Sequence, residues 1–376
     1  MVAVGTPGRA TGTRAAQRRT GAALALLGAA ALAVAVTSAV LADGDEPPVP
    51  VADAERAPCT RGVSEQGSDD ASGRPAEPWR SLGHAFAELE PGDVLCVEAG
   101  TYEAPQLTVP PGEPDAPIVV RPAGDERPEV RGDALINDPD HWVLRGLLWR
   151  NPGDGDPVLT LHAGTGWVFE DNVVTDGDYA GVLVGRTDDD GSPQDYVLRG
   201  NVIYDTDASN LYHNPGRDSR GGLIERNLLF DSGTNNLKLG WGGSDVCDED
   251  NLEDFGVGEV TVRYNTMHDA EQPLVVAEPG GELPVVVERN LVTGTTGDYL
   301  VRIDDVEGCL GDDVRIADNL GHGGDTFIED FGDAPEIVER AEDNVYPQDP
   351  QYDSTDGPDG FRPQDERAQE YGRYAP

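Results

Sequence analysis

A six-residue phrase returns through the chain from about residue 140 onward: an apolar residue, two variable residues, Asn, then two mostly apolar residues. It reads FEDNVV, LRGNVI, IERNLL, VRYNTM, VERNLV and IADNLG, with a worn copy at AEDNVY. The asparagines are Asn172, Asn201, Asn227, Asn265, Asn290, Asn319 and Asn344, spaced by 29, 26, 38, 25, 29 and 25 residues. Such a period means a solenoid, in which each unit buries its apolar face only against its neighbours. No 3.6-residue periodicity marks the units. Instead each carries a second short apolar run about ten residues past its Asn: GVLVG, NLYHN, NLKLG, PLVVA and YLVRI. Each unit therefore reads as strand, Asn turn, strand and a loop of variable length, one rung of an all-β, right-handed parallel β-helix.

Stacking explains why Asn is kept. Identical turns about 4.8 Å apart let side-chain amides donate to and accept from one another, which satisfies polar groups that burial would otherwise orphan. A second column, Asp176, Asp205, Asp231 and Asp269, follows four residues after the first asparagines of the series. It has the look of a row of catalytic carboxylates, but Asp is also a turn residue, and its regular recurrence favours the turn.

The segment upstream of the repeat carries a second signature. Gly67-Ser68-Asp69, Pro78-Trp79-Arg80-Ser81-Leu82, Pro91-Gly92-Asp93 and Gly100-Thr101-Tyr102 follow one another in the order of an N-terminal cap and first rungs. In this the chain resembles the pectate lyase-like superfamily of right-handed parallel β-helix proteins, over roughly residues 62–346. The resemblance implies a single solenoid opened by a short capping helix at SLGHAFAEL, with Ser81 at its start. For function it implies little, because the superfamily holds lyases, hydrolases, epimerases and adhesins.

The flanks are of other kinds. Residues 1–42 carry four arginines, no acid and an uncharged run from 20 to 42, the pattern of a signal peptide or an N-terminal transmembrane anchor. Length favours the anchor, and the small residues before Asp43 favour cleavage. Both readings put the bulk outside the cytoplasm, secreted or anchored, touching membrane only through that segment. Residues 43–61 read as a Pro-rich acidic linker, 62–348 as the β-helix and 349–376 as an acidic, disordered tail. The net charge is −44, so the chain beyond residue 42 carries −48. Nucleic acid is excluded as a partner for want of a basic footprint. Four cysteines in an exported chain suggest disulfides, Cys59 with Cys96 and Cys247 with Cys309 by sequence order, or else four buried thiols. A monomer is expected.

Long loops are where a solenoid carries chemistry. The longest rung holds Lys238, the only lysine of the chain. Aligning rungs by their asparagines puts Leu183, Tyr212, Lys238, Val276 and Val301 at one offset. With Leu237 and Leu239 inward, alternation turns Lys238 outward, one rung from Tyr212 and near His213, Arg217 and Arg220. This group has the parts for β-elimination on a uronate-containing polysaccharide: a base, cations for the carboxylate and an acid for the leaving oxygen. Six carboxylates follow within ten residues, and Asp245, Asp248, Asp250 and Asp254 are of the ligand type that calcium prefers. Two other classes stay open. Fragments IDD (303–305) and GHG (321–323) resemble pieces of the polygalacturonase motif set, a glycoside hydrolase family on this fold, but its leading N-T-D and closing R-I-K elements are absent and the match reads as chance. A β-helix displayed at the cell surface could also bind glycans without cleaving them.

Overall fold

A computed structural model describes residues 57–153, 155–186, 191–216, 218–240, 256–277, 283–304, 314–330 and 343–376. Within them the chain winds as a right-handed parallel β-helix, each rung giving one strand to each of three parallel sheets of ten, nine and nine strands. One rung shows the plan: Val197–Arg199 in the first sheet, Val202–Thr206 in the second and Ser209–His213 in the third. Gly222–Glu225, Leu228–Ser232 and Asn235–Leu239 then repeat it. The strand pairings between rungs are parallel and, apart from a bulge at Thr175–Gly177, in register, as in Leu198 opposite Ile224 and Ile203 opposite Leu229. Inward side chains stack into one core, including Leu198, Ile224, Val262 and Val287, each wholly buried.

The asparagine ladder sits where the first sheet turns into the second. The backbone N–H of Asn201 donates to Asn227 Oδ1 at 3.0 Å and Asn227 N–H to Asn265 Oδ1 at 3.0 Å. The same contact runs from Asn172 to Asn344. Each side-chain amide also donates to a main-chain carbonyl of a neighbouring rung, as Asn227 Nδ2 does to Leu198 at 3.0 Å. The residue before each asparagine from Asn172 to Asn319 is left-handed: Asp171, Gly200, Arg226, Tyr264, Arg289 and Asp318 all lie between φ 53° and 66°. That conformation costs an ordinary side chain about 1–2 kcal/mol, and the bonds of the ladder offset it. Asp176, Asp205, Asp231 and Asp269 are left-handed too, at φ 53° to 57°, so geometry supports the turn role of that column.

The outer face of the first sheet carries a ladder of another kind. Arg145, Glu170, Arg199, Glu225, Arg263 and Glu288 stand in register on successive rungs, alternating in sign at each step. Arg199 Nε meets Glu170 at 2.8 Å and Arg263 Nε meets Glu225 at 2.9 Å.

At the N-terminal end, Asp69 accepts the N–H groups of Arg80 and Ser81, and Ser81 caps the helix Leu82–Glu88 through His84 N–H. The helix buries Leu82, Ala85 and Phe86, and Phe86 meets Trp142 edge-on at 5.2 Å to close the end of the coil. Gly67 is required here, since a Cβ would lie 2.2 Å from the Trp79 carbonyl oxygen. A disulfide joins Cys59 to Cys96, while Cys247 and Cys309 lie outside the described residues, as do residues 1–42 and most of the linker. Among the described residues no helix is long and apolar enough to cross a membrane.

The expected disordered tail is corrected. Residues 349–376 fold back over the outer face of the second sheet, where Phe361, wholly buried, packs on Phe230 at 5.1 Å, His268 at 5.1 Å and Tyr352 at 5.5 Å. Tyr371 and Ala368 cover Leu291 and Leu320. Gly372 N–H donates to the Arg289 carbonyl at 3.0 Å and Tyr371 Oη to Asp318 at 3.2 Å. On the later rungs the outward column of the second sheet is largely apolar, with Val202, Leu228, Leu291 and Leu320, and must be covered; the few apolar residues of the tail lie among charges, which hides this from a composition reading.

Two stability outcomes follow. Asn227→Leu removes the acceptor of Asn201 N–H and the donor to the Leu198 carbonyl, both buried, so chemical denaturation should show a loss of about 3 kcal/mol or more. Phe361→Ala should cost about 3 kcal/mol and speed proteolytic removal of the tail.

Candidate functional site

The third sheet presents an outward column running Gln106, Leu135, Thr160, Leu183, Tyr212, Lys238, Val275, Arg302 and Glu329. Lys238 faces outward as alternation requires, between the inward Leu237 and Leu239. The neighbours above it differ from those expected. Val276 and Val301 are inward, and Val275 and Arg302 take their places. In register, Val275 follows Ala270 at one residue fewer, and Arg302 follows Thr295 at one residue more, than Lys238 follows Ser232, so counting from the asparagines slips by one in each direction. From Ala180 onward, the longest connections between consecutive strands run from third-sheet strands to the next first-sheet strand.

Lys238 is half-buried and its Nζ lies 5.1 Å from the centre of the Tyr212 ring, a cation–π distance. Burial pulls the amine below the usual lysine range; the carboxylate of Asp304 opposes this and the Arg302 guanidinium adds to it. Arg302 Nη2 donates to Asp304 Oδ2 at 3.0 Å, which orients the guanidinium. Tyr212 is 5% exposed, and burial, with a smaller contribution from Tyr179, pushes its phenol upward so that it keeps its proton at neutral pH. The cluster is thus an amine of lowered basicity, a protonated phenol and an aligned guanidinium on one column.

The other predicted residues sort as follows. His213 is not in the groove: it points into the core, wholly buried, with Nε2 2.5 Å from Tyr196 Oη. Alternation after the outward Tyr212 turns it inward, and burial pushes its imidazole down to about 3. Arg220 is exposed and sits two residues before the first-sheet strand Gly222–Glu225, its carbonyl accepting Asp195 N–H at 2.8 Å. Arg217 lies outside the described residues, as do Asp245, Asp248, Asp250 and Asp254. Among the described residues no group of three or more His, Cys, Asp or Glu could hold a metal ion. The two hydrolase-like fragments part company, since Asp304 belongs to the third sheet and His322 to the second. Arg302 and Asp304 are the functional candidates that repeat-counting missed; Asp304 showed only as part of the IDD fragment, and Arg302 only as a charge within an apolar strand.

No family profile matches the sequence, and no curated protein does. Solved structures do. A rhamnogalacturonan lyase, 13% identical, matches over 72% of this chain and 84% of its own with a TM-score of 0.51. An alginate lyase from Paenibacillus sp. str. FPU-7, 12% identical, covers 66% and 94% at a TM-score of 0.43. A pectate lyase, 12% identical, covers 72% and 73% at 0.40. The chain shares the parallel β-helix fold of the rhamnogalacturonan lyase, and at such identities the likeness is one of fold alone.

Because Lys238 is the sole lysine, a protein labelled with ¹³C-lysine should give one Cε resonance. Its titration midpoint should fall below the free-lysine value, rise in Arg302→Ala and fall further in Asp304→Asn. An unshifted midpoint in all three would remove the electrostatic basis of the cluster.

Proposed function

We propose that this is an extracytoplasmic polysaccharide-active β-helix protein that cleaves uronate-containing glycans by β-elimination. The observation that carries the reading is Lys238: an outward, half-buried amine of lowered basicity between a protonated phenol and a guanidinium. In the proposed reaction Nζ takes the proton α to the sugar carboxylate, and Arg302 balances the charge that gathers on the carboxylate as the enolate-like dianion forms. The electron pair of the broken C–H bond becomes the new carbon–carbon double bond, the glycosidic bond breaks, and Tyr212 Oη supplies the proton for the leaving oxygen. Fold likeness to polysaccharide lyases agrees with this reading. The uncharged run in residues 20–42 and the Cys59–Cys96 disulfide agree with an oxidising, extracytoplasmic setting. Calcium at Asp245, Asp248, Asp250 and Asp254 remains part of the proposal.

A second reading, non-catalytic glycan binding, is favoured by one contact. Lys238 rests on the ring of Tyr212, so the candidate base and acid are engaged with each other before any ligand arrives.

The test is ultraviolet absorbance of unsaturated product on a panel of polyuronates, with and without calcium. Lys238→Ala should lower the rate at least about a hundredfold. The rate should rise with pH through the titration of Lys238, because the free amine is the active form. Binding without absorbance on any substrate selects the second reading.

A further inference from the structure

Below Lys238 the floor of the third sheet loses its charge. Four rungs of the outward column carry Leu183, Thr160, Leu135 and Gln106. The next outward column carries Gly185, His162 and Asn137 on adjacent rungs. Burial lowers the basicity of His162, so that residue is neutral at neutral pH. Its ring lies against Gly185, where a Cβ would fall 2.7 Å from His162 Cδ2. Arg186, the next residue after Gly185, lays its Cδ beside Gly216 on the Tyr212 rung and so belongs to the Lys238 end.

An aromatic ring stands at the edge of this neutral stretch. Tyr179, 38% exposed, is the one large apolar side chain among the described residues that is more than a third exposed. It occupies the turn that leads into the strand Ala180–Gly185, and its carbonyl accepts the N–H groups of Ala208 and Ser209, both at 3.1 Å, so the ring rises from a pinned backbone. Its phenol is near enough to that of Tyr212 for the two to interact electrostatically.

We infer that this stretch is a neutral-sugar subsite, with Tyr179 as its stacking platform, and that the ligand is a mixed glycan in which the uronate at Lys238 is followed by an uncharged sugar. The inference rests on the uronate reading of Lys238 and narrows it. Rungs repeat about every 4.8 Å. A homopolymer of uronate laid along the column would bring further carboxylates over Leu183, Thr160 and Leu135, where neither column offers a cation. In a chain of net charge −44 those carboxylates would meet repulsion with nothing to balance it. An uncharged pyranose suits the same surface: its C–H face packs on Tyr179 and Leu183, and its hydroxyls find the Thr160 hydroxyl and the side-chain oxygen of Gln106, whose amide nitrogen already donates to Asp133.

The experiment measures cleavage and calorimetric binding of two oligosaccharides, an oligogalacturonate and one in which a uronate alternates with a neutral sugar. Wild type is compared with Tyr179→Ala and Tyr179→Trp. The expected result is preference for the mixed oligosaccharide, a KM and Kd raised about tenfold by Tyr179→Ala, an unchanged kcat, and recovery in Tyr179→Trp. Equal handling of both oligosaccharides, or a Tyr179→Ala variant indistinguishable from wild type, overturns the subsite while leaving the lyase reading intact. If nothing is cleaved but the mixed oligosaccharide binds in a Tyr179-dependent way, the lyase reading fails and the subsite stands. If neither oligosaccharide binds, both fall.

Discussion

The bond between one asparagine and the next is the contact on which the rest of the molecule depends. A parallel solenoid must turn sharply at each corner, and a turn inside the wall buries main-chain groups that have no strand partner. Here Asn172 through Asn319 are all but fully buried, and their amides supply the missing partners on the rungs to either side. The same bonds hold a left-handed residue at each corner even where it is Arg or Tyr, so an unfavourable local conformation persists through a favourable stacked one. Each copy is satisfied only by its neighbours. The corner therefore has no stable form as a single rung, which makes the fold cooperative along its axis.

This dependence made the fold legible in the sequence. A side chain that must recur at every corner leaves a period, and Asn172 to Asn344 display it without help from propensity. The site was legible only as far as that period held. Tyr212 and Lys238 share a turn length and were placed correctly, whereas Arg302 lies past a turn one residue longer and was lost to the count. Turn lengths between the second and third sheets are free to vary because the asparagine corner lies elsewhere on the rung. His213 was misjudged for another reason: its chemistry suggested a site, but alternation alone decides which side of the wall a strand residue occupies. The tail escaped because its apolar residues, Phe361 and Tyr371 among them, follow no repeat and answer to a surface they do not adjoin in sequence.

The electrostatics of the third sheet gain meaning from the acidity around it. In a chain this negative, a lysine would ordinarily be held firmly in its charged form. Lys238 departs from that because it is partly withdrawn from water and has a guanidinium near it, and Asp304 both restrains the departure and orients Arg302. The amine is thus set by burial and by two neighbours on one other strand. Neither is a neighbour in sequence, so the property belongs to the coil and not to the NLKLG segment that contains it.

The alternating ladder of Arg145, Glu170, Arg199, Glu225, Arg263 and Glu288 bears on how such a coil can change its length. Gain or loss of a single rung would set Arg against Arg or Glu against Glu at the junction, about 4.8 Å apart on a partly shielded face. Gain or loss of two rungs restores the alternation. The charges act as a parity rule written on the outside of the wall: within this stretch the unit of duplication is the pair, although the unit of structure is the single turn.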